Sequence, residues 1–478
     1  MNASDTSVRV SCKMNGQENF KHIHGTNVGP VYLQGAYDAS EYFTQAGFTT
    51  VRLHDCPYCC FGVVDIPFIF PLFHLNPNAP EHYVFRPTDS YVQSVLDCGC
   101  GIVYRLGVSI MKRPEFSGYT DPPPDYEKWA DICTHVIRHY NEGWANGFHH
   151  DIQYWEIWNE AENGPKQWNA PYEEFIEFFI TAAKRLKANF PQLKIGGPSF
   201  NGSFVNNRDK LHTFLPALKE ADCPLDFISW HAYPDRAGQV MDAAREVREI
   251  LDSYGFTATE SHLNEWNLMP TGGFAEMRKT PETQMAFFDH KNGPAGCSLA
   301  AVCLVAFQDL PLDMTNYYSC MNFNYGMFQQ LGAPHKPFYV FKAFNSFLNT
   351  FPKRLAVAGN DPDGGLALLA GRTRDGNGLG LFAANHGSDK DRWAVSLQDL
   401  PIPHPAVRCR CIDKTRNLEP GDSDAVLTGN TLTLTLPRCS TAFIEISSSA
   451  QHKQNKTENT SENAGPAAGK KKTEDQWY

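Results

Sequence analysis

Two glutamates carry the chemistry that this sequence is able to do. Glu160 closes the run Trp155-Glu-Ile-Trp-Asn-Glu160, and Glu265 stands in Leu263-Asn-Glu265-Trp-Asn267, 265 − 160 = 105 residues later. Carboxyl groups facing one substrate suit the cleavage of a glycosidic bond: one protonates the leaving oxygen, and the other attacks the anomeric carbon or activates water. Their separation selects the outcome, retention at about 5–5.5 Å and inversion at about 6.5–9.5 Å, and a sequence does not measure it. Arg52 and His54 share one face of Val51-Arg-Leu-His54, and His231 and Tyr233 share one face of His231-Ala-Tyr233. Arg52 could hold a nucleophilic carboxylate ionised and Tyr233 could orient it by a hydrogen bond, while His54 and His231 could bind sugar hydroxyls. Strand alternation puts Glu156, Trp158 and Glu160 on one face, and carboxyl groups are costly to bury there without a function or a paired cation.

Eight apolar or β-branched segments, each ending in polar residues, are positioned to present these groups. They are His22–Val28, Thr49–Asp55, Gly101–Gly107, Gln153–Glu160, Lys194–Ser199, Phe227–Tyr233, Ser261–Asn267 and Ala301–Asp309. Between them lie helical patterns such as Tyr126–Tyr140, Tyr172–Asn189 and Gln239–Tyr254, with apolar residues spaced by three and four. Strand and helix alternating over about 290 residues predict an α/β fold, a (β/α)8 TIM barrel, whose reacting groups sit at the C-terminal strand ends. Strands four and seven then face each other across the mouth. A doubly wound open sheet is the other reading, but no Gly-x-Gly-x-x-Gly follows the first strand and no Gly-Lys-Ser/Thr loop occurs, so no nucleotide cofactor is expected. After Leu355 short strands separated by Gly, Asp and Asn turns predict a β-sandwich. The expected division is an N-terminal segment at 1–20 that could add a strand to the accessory domain, a barrel at 21–350, a C-terminal sandwich at 351–447 and a disordered tail at 448–478.

The chain has 478 residues, 13% of them aromatic, with 42 basic and 53 acidic side chains for a net charge of −11. That balance excludes a broad basic footprint for nucleic acid or an anionic membrane surface. Met1–Val10 lacks the features of an export signal, and no run reaches the roughly 18 apolar residues of a membrane span, so a soluble, cytoplasmic chain is expected. Fourteen cysteines in so long a chain are expected reduced and buried. Cys56, Cys59, Cys60, Cys98 and Cys100 include a Cys-x-x-Cys spacing, but Cys-x-Cys is a poor second half for a zinc site, and no His-x-x-x-His appears; no metal is expected. The aromatic surplus places Trp158, Trp230, Tyr233 and Trp266 near strand ends, where a sugar ring could stack.

The stretch Trp155–Glu160 closely resembles the acid/base motif of family 39 glycoside hydrolases, the β-xylosidases and α-L-iduronidases of a retaining clan. Thr26-Asn-Val-Gly-Pro30, Val51-Arg-Leu-His-Asp55, Asp226-Phe-Ile-Ser-Trp-His231 and His262-Leu-Asn-Glu265-Trp266 extend the similarity over roughly residues 20 to 345. The resemblance implies a barrel with an accessory β-sandwich and a double-displacement mechanism, Glu160 as acid/base, Glu265 as nucleophile and Asn159 on the sugar 2-hydroxyl. It matches His54, His231 and Tyr233 to substrate-side positions. Ala161 stands where the family motif continues with Pro. On strand eight, where clan members place a Trp under the sugar, Phe307 or an aromatic between Tyr317 and Phe328 is expected instead. The leading expectation is an exo-acting, β-xylosidase-like retaining glycosidase acting on a small oligosaccharide or glycoside. The alternatives are a family member for another sugar, such as an α-L-iduronidase, β-glucosidase or β-galactosidase type, a silent sugar-binding barrel, or a zinc hydrolase built on the cysteines. Whether the chain is a homo-oligomer is left open by the sequence.

Overall fold

The computed structural model describes residues 8–13, 19–59, 62–109, 119–201, 208–270, 273–320, 325–329 and 332–449. The expected tail lies outside them except for Ser448 and Ser449, as does Cys60. Eight parallel strands close into a barrel: β1 (His24–Asn27), β2 (Thr50–Leu53), β3 (Gly101–Leu106), β4 (Tyr154–Ile157), β5 (Lys194–Phe200), β6 (Phe227–Ala232), β7 (Glu260–Trp266) and β8 (Met314–Tyr317). The ring closes where Thr315 and Tyr317 of β8 lie opposite His24 and Thr26 of β1.

Outside the strands run α1 (Ser40–Ala46), α2 (Arg86–Asp97), α3 (Tyr126–Glu142), α4 (Tyr172–Asn189), α5 (Arg208–Glu220), α6 (Ala237–Ser253), α7 (Pro294–Ala306) and α8 (Lys336–Thr350). The start and stop signals of α3 show how the sequence sets them. Asp125 accepts the Lys128 N–H at 3.0 Å at the N-terminus, and Gly143 at φ 73° ends the helix in the left-handed conformation that glycine tolerates. Trp129, Ile132, Cys133, Val136, Ile137 and Tyr140 form its buried stripe.

One strand differs from the sequence reading. Ala301–Asp309 is not β8; its first six residues complete α7, and Phe307–Asp309 form a 3-10 turn. Every residue from Ala295 to Ala306 is buried, because α7 lies between the barrel and a second sheet. A helix buried all round shows no amphipathic period, and a short apolar run then reads equally as a strand. The actual β8, Met314–Tyr317, is four residues long and carries Thr and Asn.

The C-terminal β region is two sheets. One has six strands, including Ala367–Arg372, Gly378–Asn385, Pro405–Ile412 and Ser440–Ser448; the other has five, including Arg392–Gln398 and Thr431–Thr435. Val8–Ser11 joins the five-stranded sheet parallel to Arg392–Gln398. The alternation of Thr431–Thr435 buries Leu432 and Leu434 in the core between the sheets, with Val10, Leu381 and Ile444. Phe344 and Phe347 of α8 meet Phe382 at 5.4 and 6.2 Å between ring centroids, which ties the six-stranded sheet to the barrel. No helix among the described residues is long and apolar enough to cross a membrane. Cys56, Cys59, Cys98 and Cys100 are free and do not form a three-ligand group.

At the C-terminal strand ends the backbone turns left-handed at non-glycine residues: Val28 (φ 69°), Asp55 (53°), Trp158 (70°), Glu160 (48°) and Ser199 (64°). Such conformations cost on the order of 1–3 kcal/mol each and collect where a chain aims side chains for a purpose. They mark the mouth of this barrel.

Candidate active site

Arg52, fully buried on β2, organises the mouth. Nε donates to Glu156 Oε2 at 2.6 Å, and Nη1 donates to Glu265 Oε1 at 2.8 Å and Asn27 Oδ1 at 3.3 Å. Nη2 donates to Asn159 Oδ1 at 2.7 Å and Ser199 Oγ at 2.8 Å. All five N–H bonds of the guanidinium are thereby used, by residues of or just beyond β1, β4, β5 and β7. Burial works against its charge, but Glu156 and Glu265 outweigh it and keep Arg52 protonated.

Glu265 is held at both oxygens, Oε1 by Arg52 and Oε2 by the Tyr233 hydroxyl at 2.5 Å. Burial raises its carboxyl above the ordinary range and the Glu160 charge adds to this, while His231, Arg52 and the Tyr233 hydrogen bond oppose it. Glu160 has no such cation against it. Its Oε1 meets His231 Nδ1 at 2.8 Å, and its Oε2 accepts from Asn163 Nδ2 at 2.9 Å. Burial raises Glu160 to about 7, with Arg52 and Asn163 opposing. The two carboxylates differ in environment, Glu265 paired directly with the Arg52 charge and Glu160 not, and that pairing favours the ionised form at Glu265.

His231 lies between them. Ser199 Oγ accepts from Arg52 and, at 3.0 Å, from Asn264 Nδ2, so the hydroxyl proton is free to go to His231 Nε2 at 2.6 Å. His231 then carries its own proton on Nδ1 and donates to Glu160. Burial lowers His231 to about 4 and keeps it neutral. One oxygen of Glu160, one of Glu265 and a His231 nitrogen all lie within 4.8 Å of one another. Three such ligand types could hold a cation elsewhere, but here the Arg52 charge already occupies Glu265 and repels a metal ion.

The structure therefore brings together Arg52, Asn159, Glu160, His231, Tyr233 and Glu265. His54 is adjacent and engaged: Nδ1 accepts from Arg105 Nε at 3.1 Å, and Nε2 lies 3.5 Å from Asp55 and 4.0 Å from Glu265. Phe307 is not part of the site. Its ring packs edge-on against Trp266, centroids 5.1 Å apart, because it ends α7 outside the strands. Trp158, Trp230 and Trp266 also pack outward: Trp158 Nε1 donates to the Gln167 carbonyl and its ring meets Trp168, Trp230 bonds Ser261, and Trp266 meets Tyr317. The positive φ at Trp158 breaks the alternation that would have put this indole beside Glu160.

Asn264 was hidden by the same assumption. It neighbours Glu265, yet both reach the interior, since the pairing of β7 with β6 and β8 shifts register between Leu263 and Trp266. A bulge re-aims one side chain in this way, and Asn264 Nδ2 reaches Glu156 Oε1 at 2.5 Å. Among the expected aromatics, Tyr318 follows β8 into the mouth and donates to Asp55 Oδ2 at 3.0 Å. Its ring lies 6.5 Å from both Tyr233 and Tyr325, and Phe274 closes the group at 6.0 Å from Tyr233 and 6.2 Å from Tyr325.

Residues 73–264 match the sequence pattern of glycosyl hydrolases family 39. Over that segment the chain is similar to this family. The matched segment contains Glu160 and stops one residue before Glu265. A β-xylosidase of Geobacillus stearothermophilus is 22% identical over 254 residues, covering 48% of each chain. One of Caldicellulosiruptor saccharolyticus is 23% identical over 232 residues, covering 47% of this chain and 43% of its own. The chain thus spans about half the length of the curated relatives it matches. Among solved structures, a glucosidase from Croceicoccus marinus superposes with TM-score 0.75 at 24% identity, covering 92% of this chain and 98% of its own. A monomeric β-xylosidase from Caulobacter crescentus CB15 gives 0.68 at 16% identity over 93% and 99%. At these identities the likeness carries the fold. Against the family 39 motif, Ala161 after Glu160 is buried and opens a 3-10 turn over Ala161–Lys166, so proline is not needed for the turn to form.

Proposed function

We propose that this chain is a retaining, exo-acting glycoside hydrolase, β-xylosidase-like in substrate, working through a glycosyl-enzyme intermediate. The observation that carries the reading is the pair of carboxylate oxygens within 4.8 Å on Glu160 and Glu265. That separation sits with the roughly 5–5.5 Å of retaining pairs, which put a nucleophile in reach of the anomeric carbon, and below the roughly 6.5–9.5 Å that inverting pairs need to seat a water beside the sugar. Glu265, ionised against Arg52, attacks the anomeric carbon; the bond to the leaving oxygen breaks as Glu160 gives that oxygen its proton. Water then attacks the intermediate, Glu160 takes up the water proton, and Glu265 leaves as a carboxylate. Arg52 and Tyr233 are already placed on the oxygens where that charge returns. Asn159 Nδ2, a buried donor without a protein partner, suits the sugar 2-hydroxyl. Tyr318 suits the platform that clan relatives build at the end of strand eight. The shorter β-xylosidase similarities and the glucosidase fold likeness leave xylose and glucose as the sugars to test first.

Glu160 at about 7 sets a sign. Below that pH it holds the proton the first step needs, and above it the acid is lost, so the alkaline limb of kcat/KM is expected near pH 7. Once Glu265 is esterified its negative charge is gone, Glu160 ionises more readily, and it becomes the base for the second step.

Glu160→Ala is the test of roles. Turnover of alkyl glycosides, whose leaving oxygen needs a proton, should fall about 10²–10⁴-fold, while glycosides of acidic phenols should retain most of the first step. Added azide should restore turnover and yield a glycosyl azide of retained configuration. Equal losses for both leaving groups with no azide product would remove Glu160 from the role of acid.

A further inference from the structure

Glu162, two residues beyond Glu160, is a further buried carboxyl group that the mechanism above does not use. The backbone N–H of Asn201, just past β5, donates to Glu162 Oε1 at 2.6 Å. The side-chain Nδ2 of the same Asn201 donates to Asn163 Oδ1, and Asn163 Nδ2 donates to Glu160 Oε2 at 2.9 Å. One residue, Asn201, thus grips both the second carboxyl and the amide that orients the first. The other oxygen of Glu162 is buried with no hydrogen-bond partner, as is the Tyr172 hydroxyl at the start of α4.

We propose that Glu162 is a positioning residue for the acid/base, a partner carboxyl that anchors Asn201 and through it holds the Asn163 amide on Glu160. The inference rests on the hydrolase reading of Glu160 and adds a second ionisable group to it. Among the described residues the groups that act on Glu162 are Glu160, Lys210 of α5 and, from α4, Tyr172, which in turn faces Glu173. Lys210 Nζ stands over the Tyr172 ring, 4.9 Å from its centroid. Burial raises Glu162 to about 8 and Glu160's charge adds to this, while the Asn201 N–H and Lys210 oppose it. Two like groups so coupled lose their protons in two steps that belong to the pair. Glu160, at about 7, ionises first and its charge holds the proton on Glu162, while the Asn163 amide, donating to the carboxylate, favours that first ionisation.

The chain of hydrogen bonds therefore predicts shifts of one sign. Carboxyl-13C glutamate NMR on the full chain, with the Glu160 signal identified by its loss in Glu160→Gln, reads the titration directly. Asn163→Ala should move the Glu160 midpoint up by about 0.5–1 pH unit, Glu162→Ala, which frees Asn201, should move it up by a smaller amount, and Glu162→Gln, which keeps an acceptor for the Asn201 N–H, should leave it within about 0.2 unit. The alkaline limb of kcat/KM should follow in each variant. No shift in Glu162→Ala, or a downward shift in either that variant or Asn163→Ala, would overturn the proposal. The NMR result stands without turnover, so failure to hydrolyse any glycoside would count against the hydrolase reading alone.

Discussion

Glu265→Gln should lose about 10⁴–10⁶-fold in kcat, the order of loss seen when a hydrolase is deprived of its nucleophile. The substitution is close to isosteric and keeps an acceptor for Arg52 Nη1, which now donates to Glu265 Oε1 at 2.8 Å, so the fold should survive. The amide cannot form the ester, and unlike Glu160→Ala it leaves even glycosides of acidic phenols unreactive. Steady-state and single-turnover rates with an aryl β-xyloside measure this, and azide should give no retained product. A variant within tenfold of the parent would require another nucleophile.

The second large effect concerns stability. Arg52→Met removes a fully buried guanidinium whose side-chain atoms hold Glu156 at 2.6 Å and Glu265 at 2.8 Å. Two carboxyl groups are then left in the barrel without their cation, along with acceptors on Asn27, Asn159 and Ser199. Breaking one side of a buried ion pair costs about 3–5 kcal/mol, because the remaining charge stays desolvated. Urea unfolding followed by fluorescence should report a loss of this order, since Trp155, Trp168, Trp230 and Trp266 lie buried in the barrel. Adding Glu156→Gln to Arg52→Met should recover part of it, because the two effects share one contact and are not additive. A loss below about 1 kcal/mol would mean that the network is not held by its charge.

Much of the barrel is legible in the sequence wherever a strand ends in a change of polarity, as in Thr49–Asp55 or Phe227–Tyr233. The eighth strand is not, because α7 is apolar on every side and imitates a buried strand, while the true β8, Met314–Tyr317, is four residues of mixed polarity. In the mouth, residues that obey simple alternation were found: Arg52 and Tyr233 both reach Glu265. Those placed by backbone irregularity were misassigned or missed. Trp158 turns away at φ 70° and Ser199 turns in at φ 64°, and the β7 bulge admits Asn264 beside Glu265. The aromatic surplus went mostly into packing between strands and helices, and Tyr318, rather than Phe307, follows strand eight into the mouth. Asn163 and Glu162 carry no periodic signal, since they sit in an irregular turn and meet Asn201 only through the fold.

The central claim is that Glu160 and Glu265 act together by double displacement. Proton NMR of the sugar released in the first minutes, from whichever nitrophenyl glycoside is hydrolysed fastest, tests it most directly, because mutarotation has not yet mixed the anomers. The expected result is a first-formed sugar with the anomeric configuration of the substrate. A first-formed sugar of opposite configuration would contradict the claim, since a single displacement by water needs the two carboxylates farther apart than they stand here.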